Sequence, residues 1–177
     1  MTTTTNPETI SVILRRRSVR NYSDKPVDDE VILQLLRAAM SAPAADRQFP
    51  WKFIVIRDKE MLHYLASGLP SAEMLSEAAA AIVVCAAPQD AFAGRVEYAV
   101  MACSCASENI LLAAEALGLG AVWTAIYPNP ESIEFVRYEL GMPASIIPFN
   151  IIPIGYPICE APVTDRYDPD IIHWEEW

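Results

Sequence analysis

The sequence predicts an α+β or α/β domain organised around a central sheet, and three observations predict it. Helical and extended patterns alternate along 177 residues, a length that suits one domain or one domain plus appendages. Apolar residues make up 53% of the chain, which supplies a sizeable core. The run Ala81 to Ala86, centred on Ile82, Val83 and Val84, reads as an interior strand, and an interior strand needs neighbours on both sides.

The elements follow in order. Met1 to Asn6 is a polar, Thr-rich start, expected to fray, with no apolar stretch of a secretory signal behind it. Pro7 to about Arg16 is a helix in which Ile10, Ile13 and Leu14 share a face. A second helix starts after Asp28 as N-cap, with Asp29 and Glu30 in the first turn, where the helix dipole favours acids. Its rows Val31, Leu35, Ala39 and Ile32, Leu36, Met40 are apolar, and Pro43 stops it. Phe53 to Ile56 reads as a short buried strand and Met61 to Ala66 as a short helix. Glu97 to about Leu117 is the longest helix and is apolar on most of its surface, so it is expected to be buried, with a partner subunit covering what one chain cannot. Ser104, Ser107, Glu108, Asn109 and Glu115 interrupt its apolar stretch and favour a core helix over a membrane span. Gly118 and Gly120 break it. Val122 to Tyr127 is expected as a strand, Pro130 to Leu140 as a helix, and Phe149 to Ile154 as a last strand. Pro148 and Pro153 lack an amide donor, so that strand is expected at an edge or with irregular pairing. From about residue 156 the chain reads as an extended arm ending on Trp174 and Trp177, aromatics that another subunit would cover.

A formal net charge of −10 disfavours a broad nucleic-acid surface but leaves room for a local phosphate site. Cys85, Cys103, Cys105 and Cys159 lack the small, loop-rich profile of a disulfide scaffold, and Cys103 and Cys105 point to different faces of a helix, far in sequence from His63 and His173. Buried thiols of a cytoplasmic protein are expected, with no metal site and no membrane partner.

Four segments carry chemistry. Arg15-Arg16-Arg17-Ser18-Val19-Arg20 gathers guanidiniums and a hydroxyl after a helix: either a monophosphate cradle or a solvated basic helix end. In Pro43-Ala44-Ala45-Asp46-Arg47-Gln48-Phe49-Pro50-Trp51, small residues would let a backbone approach a flat ring; an ordinary connection is the other reading. Gly118-Leu119-Gly120 reads as a glycine C-cap with a hydrophobic contact rather than a dinucleotide fingerprint, and Thr124-Ala125 beyond it is small enough for amides to face a ligand. Arg166, between acids on the arm, is either a surface residue or one more guanidinium for the cradle.

Taken in order, the Arg-Arg-Ser-x-Arg turn, the Ala-Pro helix end, Pro-Trp-x-Phe, Glu-Asn-x-Leu-Leu-Ala-Ala running into Leu-Gly-Leu-Gly, Ile-Gly-Tyr-Pro and the late Asp-Arg-Tyr resemble the nitroreductase-like FMN flavoproteins over nearly the whole chain. The resemblance implies an α+β fold with a central, mostly antiparallel sheet flanked by helices. It implies one domain over residues 1–177, an interlaced homodimer with the arm, about 156–177, wrapping the partner, and FMN sites built from both subunits. It implies that Arg16, Arg17, Ser18 and Arg20 contact the FMN phosphate and ribityl, with Arg166 as a second phosphate arginine. It implies that Pro43, Ala44 and Ala45 lie against the isoalloxazine, and that the amides of Ala125 and Ile126 face the ring. The implied activity is hydride transfer from NADH or NADPH to a small acceptor such as a nitroaromatic or quinone. The flavin carries the chemistry, so no catalytic side chain is named. An FMN-binding or regulatory protein with little turnover, or a dehalogenase-like relative, is the alternative. The chain departs from the family pattern at Ala44, Arg47 and Phe49, where Ser, Asn and Gln are frequent, and at Ala102, where an acid is frequent. Arg47 would either bring positive charge to the ring or pair with Asp46 in solvent.

Overall fold

The computed structural model describes residues 7–159, 162 and 164–177; the Thr-rich start lies outside them. The helices are α1 (Glu8–Arg15), α2 (Asp29–Met40), α3 (Lys59–Gly68), α4 (Val96–Ala116) and α5 (Pro130–Glu139). The strands are β1 (Trp51–Ile56), β2 (Ala80–Ala86), β3 (Gly120–Ala121), β4 (Thr124–Ala125) and β5 (Ile147–Gly155). Every pairing in the sheet is antiparallel, in the order β1-β2-β5-β3, with β4 also on β5. The class is therefore α+β.

Strand β2 explains the layering. All seven of its residues are buried, which a strand achieves only with both faces covered. Ala80, Ile82, Val84 and Ala86 share a core with Ile32, Leu35 and Ala39 of α2 and with Ala99, Cys103, Ala106 and Ile110 of α4. Ala81, Val83 and Cys85 face the other way, onto Leu62 and Leu65 of α3 and Val136 of α5.

Where boundaries move, a local cause is visible. Strand β1 starts two residues earlier than expected, because the ladder is continued by Ala87 donating to the Pro50 carbonyl at 2.7 Å. It is an edge strand with Lys52 and Val55 exposed, not a buried one. Helix α3 starts before its first apolar residue because Asp58 caps it, accepting the Met61 amide at 2.9 Å. Asp28 occupies the N-cap of α2 as expected, although its side chain accepts no capping bond. Helix α4 ends in a Schellman motif: Leu119 N–H donates to the Ala114 carbonyl at 2.8 Å and Gly118 N–H to Glu115 at 3.1 Å, with Gly118 at φ +72°. Buried Leu119 supplies the hydrophobic contact.

One expectation needs correction: of the strand expected over Val122 to Tyr127 only Thr124–Ala125 pairs, as β4, while β3 forms before it at Gly120–Ala121. For β5 the irregular pairing holds and not the edge position. The prolines explain both. Ala79 donates to the Ile154 carbonyl at 2.9 Å, so Ile154, and by alternation Ile152 and Asn150, turn their backbone polar groups toward β2. Pro153 therefore faces the other side, in the gap between β3 and β4. Its missing N–H breaks no ladder there, and its carbonyl accepts the Tyr22 hydroxyl at 3.4 Å. The expected irregularity is a register shift opposite Val84 and Cys85 that leaves Phe149 unpaired with β2. The Phe149 carbonyl instead accepts the amides of Ile126 (3.2 Å) and Tyr127 (2.9 Å).

Candidate functional site

The basic segment after α1 is laid along the open edge of the sheet. Val19 donates to the Ala121 carbonyl at 3.0 Å, and Ser18 forms a parallel bridge with Ala121. Two glycines make this approach possible. A Cβ on Gly120 would stand 2.5 Å from Val19 Cγ1, and one on Gly155 would stand 2.9 Å from the Tyr22 ring. Buried Tyr22 locks the turn by donating its hydroxyl to the Val19 carbonyl at 2.6 Å. Burial pushes its phenol above the usual tyrosine range, so it remains a donor. The arm runs antiparallel beside this segment: Ser23 donates to Tyr156 at 2.8 Å and Ile158 to Asn21 at 3.3 Å.

This docking brings Arg16 and Arg166 to one pocket of about 460 Å³, which Ile13, Leu14, Arg17, Thr164, Asp165 and Tyr167 also line. Arg16 Nε lies 3.2 Å from Glu108 Oε1, an ion pair with an exposed partner; such pairs contribute ~0–1 kcal/mol, so an incoming phosphate can replace the carboxylate. Arg166 makes no hydrogen bond or ion pair among the described residues. Arg17 is held by the protein's own backbone. Its guanidinium is engaged by four carbonyls: Nε donates to Pro162 (3.0 Å), Nη1 to Leu14 (2.9 Å) and Arg16 (2.7 Å), and Nη2 to Thr164 (3.3 Å).

Ser18 and Arg20 are exposed. Arg20 lines a second pocket of about 290 Å³ with Ser71, Met74, Trp123, Thr124 and Ala125. Ala125 stands opposite Asn150, whose backbone groups face β2, so the Ala125 amide points away from β5, out of the sheet edge. The Ile126 amide is already donated to Phe149. Of the two expected ring-facing amides, only that of Ala125 is open.

Pro43, Ala44 and Ala45 line neither pocket. Pro43 is exposed, and Ala44 packs on the core behind α2. The next two residues, Asp46 (φ +50°) and Arg47 (φ +56°), are both left-handed, a conformation that costs a non-glycine residue on the order of 1–3 kcal/mol. Arg47 is exposed and forms no ion pair with Asp46 among the described residues. Phe49 is 53% exposed, its ring 5.3 Å from that of Trp51. In a single chain the phosphate-type arginines and the small-residue loop are thus separate. The depression of about 530 Å³ beside Lys59, Glu60, His63 and Tyr64 is the surface of α3 alone.

The core beneath the site holds the remaining polar groups. Asn150 donates to Ser107 Oγ at 2.9 Å, and Ser107 to the Cys103 carbonyl at 2.8 Å. Asn109 donates to the Ala38 carbonyl at 2.9 Å, tying α4 to α2. Ala102 is buried in the same core. Cys85 and Cys103 are buried thiols pushed up to about 12 by burial; Cys105 and Cys159 are exposed, contrary to the expectation for all four. Helix α4 is long and apolar enough to cross a membrane by length and composition, yet one of its faces is packed against α2 and the sheet. The roles of Gly120, Gly155 and Tyr22 have no local signature, because a glycine that receives a side chain is recognisable only once the two segments meet.

The model of the nitroreductase family matches residues 13–68 and 62–156. The chain belongs to the nitroreductase family. An Archaeoglobus fulgidus protein provisionally named NADH dehydrogenase/NAD(P)H nitroreductase is 45% identical over 175 residues, covering 96% of this chain and 99% of that protein. A crystal structure from Parabacteroides distasonis, with the same provisional name, superposes with a TM-score of 0.92 at 45% identity, over 97% of this chain and 100% of that one. A provisionally named nitroreductase from Desulfovibrio desulfuricans, solved in complex with FMN, gives a TM-score of 0.84 at 28% identity over 98% of this chain and 99% of that one. The nitroreductase fold of this chain is therefore the one on which that relative carries its FMN.

Proposed function

We propose that this chain is an FMN-dependent oxidoreductase that passes hydride from NADH or NADPH to a small acceptor such as a nitroaromatic or quinone. The observation that carries the reading is the convergence of Arg16 and Arg166 on one pocket, because two guanidiniums beside hydroxyls suit the charge and size of a monophosphate. Ser18 and Arg20 continue this basic edge toward Ala125, whose outward amide suits a ring acceptor atom. When bound, FMN supplies the two-electron chemistry. The protein's part is to hold the phosphate, aim the Ala125 amide and keep one ring face open for donor and acceptor in turn. Purified protein is expected to be yellow and to release FMN, not FAD, on denaturation, and to oxidise NADH or NADPH with a quinone. Chromatography of the released flavin and absorbance at the nicotinamide band check this. FAD, or no flavin after soaking with FMN, overturns the cofactor; bound FMN without turnover leaves a binding or regulatory protein.

The reading includes a homodimer in which residues 1–177 form one FMN-binding domain and the arm, 156–177, wraps the partner. Helix α1 buries no residue, and Ile10, Ile13 and Leu14 on its apolar face are 42%, 47% and 53% exposed. Met101 on α4 and Trp174 and Trp177 on the arm are exposed as well. A second copy covers such surfaces and brings its own Pro43, Ala44, Ala45 and Arg47 to the ring. The expected result is twice the chain mass by light scattering at low micromolar concentration; a stable monomer that holds FMN contradicts it. With NAD(P)H as donor and small molecules as acceptors, the reading places the protein in the cytoplasm.

A further inference from the structure

We infer that Arg17 is a positioning residue that docks the C-terminal arm and so delivers Arg166 to the pocket it shares with Arg16, rather than a group that grips the phosphate itself. This rests on the FMN reading above. Beyond Ile158, every hydrogen bond that joins the arm to the rest of the chain, among the described residues, is donated by Arg17. The remaining bonds of the arm are local to it, such as Tyr167 N–H to Asp165 and Asp170 N–H to Asp168.

The geometry suits a clamp. A guanidinium presents five N–H donors in a planar fork and accepts nothing. Here the Nη1 edge caps the end of α1 through the carbonyls of Leu14 and Arg16, while Nε and Nη2 hold the carbonyls of Pro162 and Thr164. Leu14 is among the last four residues of α1, whose carbonyls lack a helical partner. One side chain thus satisfies the helix end and fixes two points of the arm, and Arg166 follows two residues after the second point. Four of the five N–H donors of Arg17 are taken by these carbonyls, which leaves one Nη2 hydrogen and no bidentate edge for a phosphate, whereas Arg166 makes no competing bond among the described residues.

The test uses the full chain and two readouts. The first is the rate of chymotryptic cleavage after exposed Tyr167 in flavin-free protein; the second is FMN affinity by fluorescence titration. Arg17→Ala is expected to speed cleavage severalfold and to weaken FMN binding by roughly tenfold. Arg166→Ala is expected to weaken FMN binding without changing cleavage. Because Arg17 acts through Arg166, the double variant binds FMN about as well as Arg166→Ala alone. Arg17→Lys keeps the charge but not the fork, so it should loosen the arm too, and it serves if the alanine variant does not fold. Unchanged cleavage in the Arg17 variants, or losses of affinity that multiply in the double variant, overturn the proposal. If wild-type protein binds no FMN, the FMN reading fails, while the cleavage assay still decides whether Arg17 holds the arm.

Discussion

Removing the Arg166 guanidinium, as in Arg166→Ala, is expected to weaken FMN binding by roughly ten- to a hundredfold, the equivalent of a charge-assisted hydrogen bond of about 1.5–3 kcal/mol. Arg166 lines the same pocket as Arg16 and makes no bond of its own among the described residues. Its loss therefore leaves no orphaned partner in the protein, and the melting temperature of the flavin-free form should not move. Binding should also lose part of its salt dependence, since one of the cations facing the phosphate is gone. Fluorescence titration at two ionic strengths checks both points. Unchanged affinity returns Arg166 to the solvated surface.

A comparable loss is expected from a residue with no side chain. In Gly120→Val the new Cβ meets Val19 at 2.5 Å from Cγ1 and 2.8 Å from Cβ. Rotating the valine does not relieve a contact with its own Cβ, so the backbone of residues 18–20 must lift from the sheet edge. That carries Ser18 and Arg20 out of place, and FMN affinity should fall at least tenfold, with a stability loss of about 1–3 kcal/mol. Gly118→Ala is the control. Its Cβ meets nothing within 4 Å, but φ of +72° strains it. It should cost about 1 kcal/mol at the helix end and leave FMN affinity nearly unchanged. If both variants lose FMN equally, general destabilisation explains the effect and the close approach at Gly120 does not.

The elements that were legible in the sequence are those whose own period declares their environment. Helices α2, α4 and α5 and strand β2 lie within a residue or so of expectation, because their apolar rows or uninterrupted apolar run are set by burial along the element itself. The divided β3 and β4 were not legible. Their break is dictated by Pro153 on another strand, and no local reading of Val122 to Tyr127 contains that. The prolines of β5 left an edge position and irregular pairing both open for the same reason: a proline is compatible with an interior strand when its amide side faces a gap, and the gap belongs to the neighbour. At the site, residue types indicated the arginines, but not which would be free. Arg16 and Arg17 are adjacent, chemically identical and line the same pocket; what separates them is their partners, one exposed carboxylate against four carbonyls, two of them on the arm.

Pro153 has a consequence for self-association. The N-terminal segment lies along the sheet edge beside β3, with the Tyr22 hydroxyl on the Pro153 carbonyl. When that segment detaches, during folding or by fraying, the stretch of β5 between β3 and β4 is uncovered and is a potential template for a stray strand from another chain. At its centre, however, it offers an acceptor with no donor beside it, and a foreign strand laid there cannot complete its ladder. The residue that divides β3 from β4 in the native sheet thereby also guards the sheet against aggregation whenever the cover is off.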